Sequence, residues 1–532
     1  MADQEDTALQ PDPGQPATAR SVQDYIDERP QWADGTDIPT APMTFMQWRI
    51  WGLACAGKFF EGMVVFMTGV ALPLLSEEFG LDTSAKGFVT AATLAGILVG
   101  ASALGGMADY FGRKRMFIVE MIIFAVFLIA LCFAPSFFWV VFFLFGIGVA
   151  LGCDYPTAHL VISESIPSTA RGRLVLSAFA FQAIGALTGT VIGYTMLAGD
   201  TTADVSVWRY MYATAIIPAI LVIIGRFFVT DSGHWLVSRG RMTEAERETH
   251  RLLKRRPQYP KSVKLRRPKS APDLTKKPAK IKEYVPIKLG IITQAINRTF
   301  HTIEHTYGEL FNKQNRKATI LASVPWFLQD LGTYGIGIFT PTILASMIGE
   351  KADIHGLADI IHNDMLAAKG SAIMDLLFVV GIVFAILLVD RVGRIKLQLI
   401  GFIGCAVGLF LAAISIQSDG SNNMGLLFIG FMLFFFMTNL GPNAMTYLIA
   451  GEVFPTHIRG KGAGFAASFA KIGAVMTAFL FPILLVTIGK QTLLFLLVGA
   501  FILGAFVTLV FAIETKGISL ETLGRKPTDE EL

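Results

Sequence analysis

A helix that crosses a bilayer needs about 20 mostly apolar residues, and this chain supplies such runs twelve times. They fall at 47–75, 84–107, 115–134, 137–161, 174–197, 206–229, 318–347, 370–390, 397–416, 424–450, 462–486 and 489–513. A long polar gap after the sixth divides them six and six. The composition agrees: 53% of residues are hydrophobic and only 16% charged, where soluble domains carry about 25% charged residues. A soluble enzyme, a disordered chain, a collagen and a small disulfide scaffold are all excluded by these figures. Cys55, Cys132, Cys153 and Cys405 lie in apolar runs without metal-ligand spacing, and read as packing thiols. The first 45 residues are polar, so the first apolar run is expected to be a retained span and not a signal peptide.

The organisation expected is a disordered cytoplasmic tail over 1–46 and a six-helix bundle over 47–229. A basic cytoplasmic linker over 230–317, a second six-helix bundle over 318–513 and a cytoplasmic tail over 514–532 complete it. The net charge of +4 hides an asymmetry: residues 251–282 hold thirteen Lys and Arg against Asp273 alone, a local +12 that leaves −8 for the rest. Beside membrane spans, a basic run of this kind fixes topology and offers contact to anionic lipid headgroups; nucleic acid is not the expected partner. Short loops follow the same rule. Arg113, Lys114 and Arg115, then Arg171 and Arg173, Arg391, Arg394 and Lys396, and Arg459 and Lys461 follow even-numbered spans. Glu77, Glu78 and Asp82 follow the first. Basic even loops place both termini in the cytoplasm.

The sequence also repeats. Glu164-x-x-Pro167-x-x-x-Arg171-Gly172 returns 288 residues later as Glu452-x-x-Pro455-x-x-x-Arg459-Gly460, and Asp109-x-x-Gly112-Arg113 returns 281 residues later as Asp390-x-x-Gly393-Arg394. Two related six-span halves holding substrate near the midplane is a transporter plan. With Gly105-x-x-x-Asp109-x-x-Gly112-Arg113-Lys114 between spans 2 and 3, residues 47–525 resemble the major facilitator superfamily. That resemblance implies an all-α membrane protein of 12 transmembrane helices in two pseudo-symmetric bundles. Arginines alone would mean only topology; their duplicated spacing with Asp109, Glu164, Asp390 and Glu452 points to gating latches, with Arg113, Arg171, Arg394 and Arg459 as partners.

Ionisable residues within the spans carry more information, because a charge at bilayer depth costs several kcal/mol unless paired or hydrated. Glu61, Glu120, Asp154, Asp330, Asp375 and Lys471 qualify, with Lys58 near the start of span 1. Lys58 and Asp375 stand near span ends and are expected to snorkel to the interface. Lys471 is then the only strong cation at depth outside span 1. Asp154 precedes Tyr155-Pro156, where the proline frees a backbone carbonyl; the acid either satisfies the broken helix or carries a proton, and the second reading is favoured. Trp326, Asp330 and Tyr334 are spaced i, i+4, i+8 and share one stripe. An aromatic stripe is more often core, but a carboxylate in its middle points to a polar cavity. Gln182 in span 5 and Asn443 beside the Gly441-Pro442 break add donors and acceptors. Such a set suits a small oxygenated anion: Lys471 offsets charge, the amides, phenols and indole donate, and Asp330 accepts from an acidic hydroxyl.

The strings Gly-x-Asp-Tyr-Pro at 152–156, Trp-Phe-Leu-x-Asp-x-x-x-Tyr at 326–334, Leu-Gly-Pro-Asn at 440–443, Gly-Glu-Val-Phe-Pro-Thr at 451–456 and Ala-Lys-Ile-Gly-Ala at 470–474 resemble the phosphate:proton symporter family of that superfamily. The resemblance implies that Tyr155, Gln182, Trp326, Asp330, Tyr334, Asn443 and Lys471 bind phosphate, and that Asp154 transfers protons with Glu61 and Glu120 on the route. The chain departs from that family in span 1, where a pair of aspartates is replaced by Glu61 and Val64. It departs again at Cys153 and at Thr157-Ala158-His159; that histidine reads first as a packed, hydrogen-bonded one. The sugar porter family is the nearest competitor, through Asp231-Ser232-x-x-Trp235-Leu236 and Glu514-Thr515-Lys516-Gly517. A neutral hexose gains little from a buried Lys and Asp, whereas an aromatic acid would suit a lysine among aromatic rings.

The expected function is therefore proton-coupled import of a small inorganic anion, phosphate first, by a monomer in the plasma (inner) membrane. Alternatives are a proton-coupled sugar or organic-anion carrier and, outside transport, a nutrient-sensing membrane receptor. No nucleophile–base pair, metal set or cofactor motif points to an enzyme.

Overall fold

The computed structural model describes residues 20–28, 42–104, 111–199, 204–254, 263–265, 308–348, 357–416, 423–455 and 458–516, with the side chains of Tyr155, His159 and Arg171 outside the description. Among the described residues the chain is helical and carries no extended sheet. A short helix α1 (Val22–Asp27) precedes α2 (Phe45–Phe79), α3 (Thr83–Val99), α4 (Arg113–Cys132), α5 (Phe137–Ser165), α6 (Ser168–Phe179), α7 (Phe181–Gly199), α8 (Val207–Ala213) and α9 (Ile216–Phe227). Two short helices, α10 (Gly233–Ser238) and α11 (Met242–Leu253), follow on the basic side. The second half contains α12 (Arg316–Ile348), α13 (Leu357–Val392), α14 (Arg394–Ile414), α15 (Met424–Leu440), α16 (Pro442–Glu452), α17 (Arg459–Thr487) and α18 (Lys490–Val510). The fifth, sixth and tenth expected spans are each two helices in series. Gly441, at φ −121 and ψ −93, makes the tenth break, and Pro442 begins the next helix, where its missing N–H costs nothing.

Among the described residues, eleven helical stretches are long and apolar enough to cross a bilayer. The remaining one, α12, spends its length on Pro325, Gln329, Asp330, Thr333, Tyr334 and Pro341. It is polar because it faces the centre of the molecule. The outer surface is apolar instead, with Ile217, Leu221, Val486 and Leu509 exposed, as lipid requires.

Between helices there is no hydrophobic drive in lipid, so close backbone approach does the packing. Gly62 on α2 lies so near α7 that an added Cβ would stand 1.9 Å from the Gln182 carbonyl oxygen, and Gly185 meets the Phe59 carbonyl in the same way at 2.0 Å. That tight seam fixes the height of Gln182 against α2. The halves touch on both sides of the centre. On the basic side the Phe179 and Tyr447 rings stack at 4.6 Å, and Arg173 Nε lies 2.7 Å from Asp390 Oδ2. On the other side Gly69 lies against the Ile338 carbonyl, and Thr90 Oγ1 donates to the Ala478 carbonyl at 2.8 Å. Among the described residues the halves therefore meet on both sides of the centre.

Two expectations are corrected. The tail over 1–46 is not wholly without structure: α1 opens with a capping box between Ser21 and Asp24, and buries Val22, Tyr25 and Ile26 against Trp235, Leu236, Leu252 and Val263. Asp27 accepts from the Ser168 backbone N–H at 2.7 Å, at the start of α6. The eighth span starts well before residue 370, because α13 begins at Leu357.

Candidate functional site

The centre is built from α2, α7, α12 and α17. Lys471, on α17, donates from Nζ to Asp330 Oδ2 at 3.2 Å and to the Tyr334 hydroxyl at 2.6 Å. The Tyr334 hydroxyl donates in turn to Glu61 Oε1 at 3.0 Å, crossing from the second half to the first. Gln182 Nε2 lies 3.2 Å from the same Glu61 oxygen and 3.1 Å from the Tyr334 hydroxyl. Lys58 Nζ holds the other Glu61 oxygen at 2.9 Å. Lys58, Glu61, Asp330 and Lys471 are all buried. Two ammonium groups and two carboxylates therefore share one network, and their formal charges cancel, which is what makes four buried ions tolerable.

Lys58 and Glu61 both need a new placement. Lys58 does not snorkel: it stands thirteen residues beyond the Phe45 start of α2, with its ammonium 5.4 Å from the Phe179 ring centre and 5.8 Å from that of Tyr447. Its i, i+3 spacing from Glu61 is the available sequence signal, since such residues neighbour each other on a helix. Glu61 lies within the network of the expected substrate residues, while Glu120 and Asp154 form a separate one.

That second network has a centre that the sequence alone does not reveal. Arg226, at the end of α9, is fully buried. Its Nη1 lies 2.8 Å from Glu120 Oε1 and its Nη2 lies 2.7 Å from Asp154 Oδ1. Lys471 is thus not the only strong cation at depth outside span 1, and Asp154 is ion-paired, not isolated in an apolar setting. The guanidinium also lies over the Phe117 ring at 3.5 Å and donates to the Leu53 carbonyl at 3.2 Å. Two carboxylates on one guanidinium leave a formal charge of −1, which one proton cancels. Gly57 on α2 abuts the Asp154 carboxylate: a Cβ there would stand 1.7 Å from Oδ2. One helical turn further along α2 is Glu61, about 6 Å up the axis, so the two networks are neighbours on one helix.

Asn443 belongs to a third, neutral chain. Gln329 Nε2 donates to Thr333 Oγ1 at 2.6 Å and to Asn443 Oδ1 at 3.1 Å. Asn443 then donates to Asn439 Oδ1 at 2.6 Å, and Asn439 to the Phe378 carbonyl at 2.8 Å. Trp326 is buried and meets the Tyr447 ring edge-on at 6.1 Å. The Tyr155 side chain lies outside the described residues.

The expected latch residues occupy matching positions in the two halves. Arg113 Nη2 lies 3.1 Å from Glu164 Oε1, and the Ser232 hydroxyl donates to the same carboxylate. Arg394 Nε lies 3.1 Å from Glu452 Oε2, and the Thr515 hydroxyl donates to that carboxylate at 2.6 Å. Asp231 accepts from the Lys114 backbone at 3.4 Å, as Glu514 accepts from Arg394 and Ile395 at 3.0 and 3.1 Å. In both halves an acid caps the start of a helix, where the macrodipole favours negative charge. Gly112 and Gly393 make the preceding turns at φ +104 and +100, which a glycine adopts without strain. Asp390 also lies 3.3 Å from Arg394, and Arg459 Nε donates to the Phe454 carbonyl at 3.1 Å. Asp109 and the Arg171 side chain lie outside the described residues.

Residues 51–526 match the model of the family described as sugar (and other) transporter. The chain is 28% identical to the major myo-inositol transporter IolT of Bacillus subtilis, over 87% of this chain and 92% of the relative. It is 27% identical to a candidate inorganic phosphate transporter, C1683.01, of Schizosaccharomyces pombe, over 91% of this chain and 89% of the relative. Its fold is similar to that of a solved structure of the Escherichia coli xylose transporter XylE in a partially occluded inward-open conformation, at a TM-score of 0.68 and 19% identity. That match covers 90% of this chain and 100% of the other. The duplicated ion pairs, the two-bundle architecture and the family match carry one conclusion: the chain belongs to the sugar (and other) transporter family and has the major facilitator fold.

Proposed function

We propose that this transporter is a proton-coupled symporter for a small anion, inorganic phosphate first, working by alternating access in the plasma membrane with both termini cytoplasmic. The observation that carries the reading is Lys471 held between Asp330 and Tyr334, with Glu61, Lys58 and Gln182 joined to them. An entering anion replaces the carboxylates as partner of the two ammonium groups. Lys471, Tyr334 and Gln182 donate to its oxygens, while Asp330 accepts from a phosphate hydroxyl, a bond that an all-acceptor anion cannot make. The arriving negative charge is compensated if protons bind Glu61 or the Glu120–Asp154–Arg226 group, since a net charge in the buried core is costly. Loaded and neutralised, the halves exchange their contacts on the two sides. Trp326, Asn443 and Tyr155 complete the substrate set by resemblance, and the candidate phosphate transporter among the relatives supports that choice.

A second reading has its own support. The stacked Phe179 and Tyr447 rings, with Lys58 beside both, suit an aromatic carboxylate, through ring contact and charge together. The myo-inositol transporter among the relatives keeps a neutral sugar or polyol in view as a third substrate class. Purified protein in liposomes, given an inward proton gradient and labelled phosphate, benzoate or glucose in turn, separates the three. Saturable binding without flux would instead indicate a receptor. We further propose that the protein works as a monomer and that residues 251–282 meet anionic headgroups; apart from 251–254 and 263–265 that stretch lies outside the described residues.

A further inference from the structure

Two buried carboxylates on α13, Asp364 and Asp375, have no part in either charged network. Asp375 on α13 does not snorkel as its place near the start of an apolar run suggests, because α13 begins eighteen residues earlier at Leu357, and Asp375 is only 1% exposed. Its Oδ2 lies 3.0 Å from Thr190 Oγ1 on α7, so the contact joins the two halves. Thr190 stands eight residues beyond Gln182, about 12 Å further along the axis, on the side away from the basic loops. Its hydroxyl oxygen also lies 3.2 Å from the Ala186 carbonyl and 3.0 Å from the Leu187 carbonyl. A hydroxyl has one hydrogen to give. When it goes to the helix carbonyls, the contact to Asp375 persists only if the acid itself donates.

No charged side chain reaches Asp375 among the described residues. Of the helices packed against α13, α15 brings no ionisable group and α7 only Tyr194. Lys58 and Glu61 on α2, and Asp330 and Tyr334 on α12, are engaged in the central network. Glu78, at the far end of α2, is held by Arg209 at 2.6 Å, with Glu77 beside it. Arg49, Arg316, Lys317, Arg173, Arg394 and Lys396 lie at the basic end of their helices. On α13 itself Lys369 is exposed, and Asp364, Ser371 and Asp375 fall on one stripe, seven and eleven residues apart. Those three are buried, and Asp364 Oδ2 and Ser371 Oγ have no hydrogen-bond partner among the described residues. An ionised carboxylate in such a dry seam is costly, whereas the neutral acid can donate.

We propose that Asp375 is a second proton-carrying site, and that proton binding there governs closure of the seam between α7 and α13. With a proton the acid donates to Thr190 and the seam stays dry and shut. Without one, the carboxylate needs water, and the seam opens to supply it. The coupling is reciprocal, so opening of the seam releases the proton. The inference deepens the proton-coupled reading above, but its test needs no substrate.

The full chain in lipid nanodiscs is labelled with spin probes at Thr195→Cys and Lys369→Cys, both exposed, on either side of the seam. The half-buried Cys132 is replaced by alanine; the other native thiols are buried. The labelled protein is expected to show a severalfold larger separated population at alkaline than at acidic pH. Asp375→Asn, a permanently neutral donor, is expected to stay closed at both, while Thr190→Val, which keeps the acid, retains the pH response. A pH response surviving in Asp375→Asn, or none in the parent, overturns the proposal. Failure of every anion in liposomes would sink the transport reading while leaving this distance response in place.

Discussion

Arg226 Nη2 lies 2.7 Å from Asp154 Oδ1 while its Nη1 holds Glu120 at 2.8 Å, so one buried guanidinium serves two carboxylates from two other helices. Asp154→Asn keeps the shape and a hydrogen-bond acceptor but removes the charge. It is expected to preserve substrate exchange between loaded liposomes and to abolish accumulation driven by a proton gradient. Undiminished accumulation in Asp154→Asn would remove the acid from the coupling route. Arg226→Met is a different lesion: it strands two carboxylates, at a cost of about 3–5 kcal/mol. Adding Glu120→Gln and Asp154→Asn to it should recover most of the lost thermal stability without recovering coupling.

Lys471→Ala and Asp330→Asn test the central pair. Each is expected to reduce phosphate uptake to background while detergent-solubilised protein still elutes as a folded species. In Lys471→Ala the Tyr334 hydroxyl loses its 2.6 Å donor, and Lys58 is left as the remaining ammonium of the network. Wild-type uptake in Lys471→Ala would rule out an anion bound at this lysine.

The two anion classes separate at Tyr447. Its ring stacks on Phe179 at 4.6 Å and meets Trp326 edge-on, so Tyr447→Leu removes an aromatic wall but no member of the charged network. Benzoate transport would lose about 0.5–1.5 kcal/mol of ring contact beyond the buried area, seen as a KM about two- to twelvefold higher. Phosphate transport should change far less. A larger loss for phosphate than for benzoate would place the phosphate against the ring.

On the basic surface, Arg173 and Asp390 join the halves at 2.7 Å with side chains 70% and 39% exposed. An exposed pair contributes only about 0.2–1 kcal/mol, too little to move the melting temperature much. That small figure is still enough to shift the balance between conformations severalfold. Arg173→Ala is therefore expected to raise cysteine accessibility on the basic side without changing thermal stability. Unchanged accessibility would mean that the Phe179–Tyr447 stack alone keeps this side closed.

Much of this architecture is legible in the sequence, for identifiable reasons. Span number follows from hydropathy and the latch residues from constant offsets between duplicated motifs, but the pairing does not: the sequence sets Glu164 with Arg171 and Glu452 with Arg459, whereas Arg113 meets Glu164 and Arg394 meets Glu452. Asp330, Tyr334 and Lys471 stand out together because each breaks an apolar run. Arg226 does not stand out: a cation near a span end looks like a topology signal, and only the packing of α9 on α4 and α2 turns it inward. Lys58 and Asp375 look peripheral on span boundaries drawn from hydropathy. The helices extend past those boundaries, since a helix shielded by protein need not end where the apolar run does. Asn443 is visible in the sequence as an amide beside the Gly441-Pro442 break, but its partner Gln329 depends on how α12 faces α16.

Gly57 offers the sharpest test of how the two networks are held side by side. An added Cβ would stand 1.7 Å from Asp154 Oδ2 and 2.3 Å from its carboxyl carbon, so neither helix can keep its place. The carboxylate cannot simply swing away, because Arg226 fixes its other oxygen. Gly57→Ala is accordingly expected to act as a disguised Asp154 mutation: lost proton-driven accumulation, with a fall in melting temperature that overpacking of about 1–3 kcal/mol produces. Gly52, on the same helix, has open space of at least 4 Å around the point where a methyl group would stand, and alanine there should raise helix stability by up to about 1 kcal/mol. The two alanines share chemistry, helix and sequence neighbourhood. If Gly57→Ala leaves accumulation and melting unchanged, the carboxylate does not rest against α2, and the adjacency of the two charged networks along that helix is lost with it.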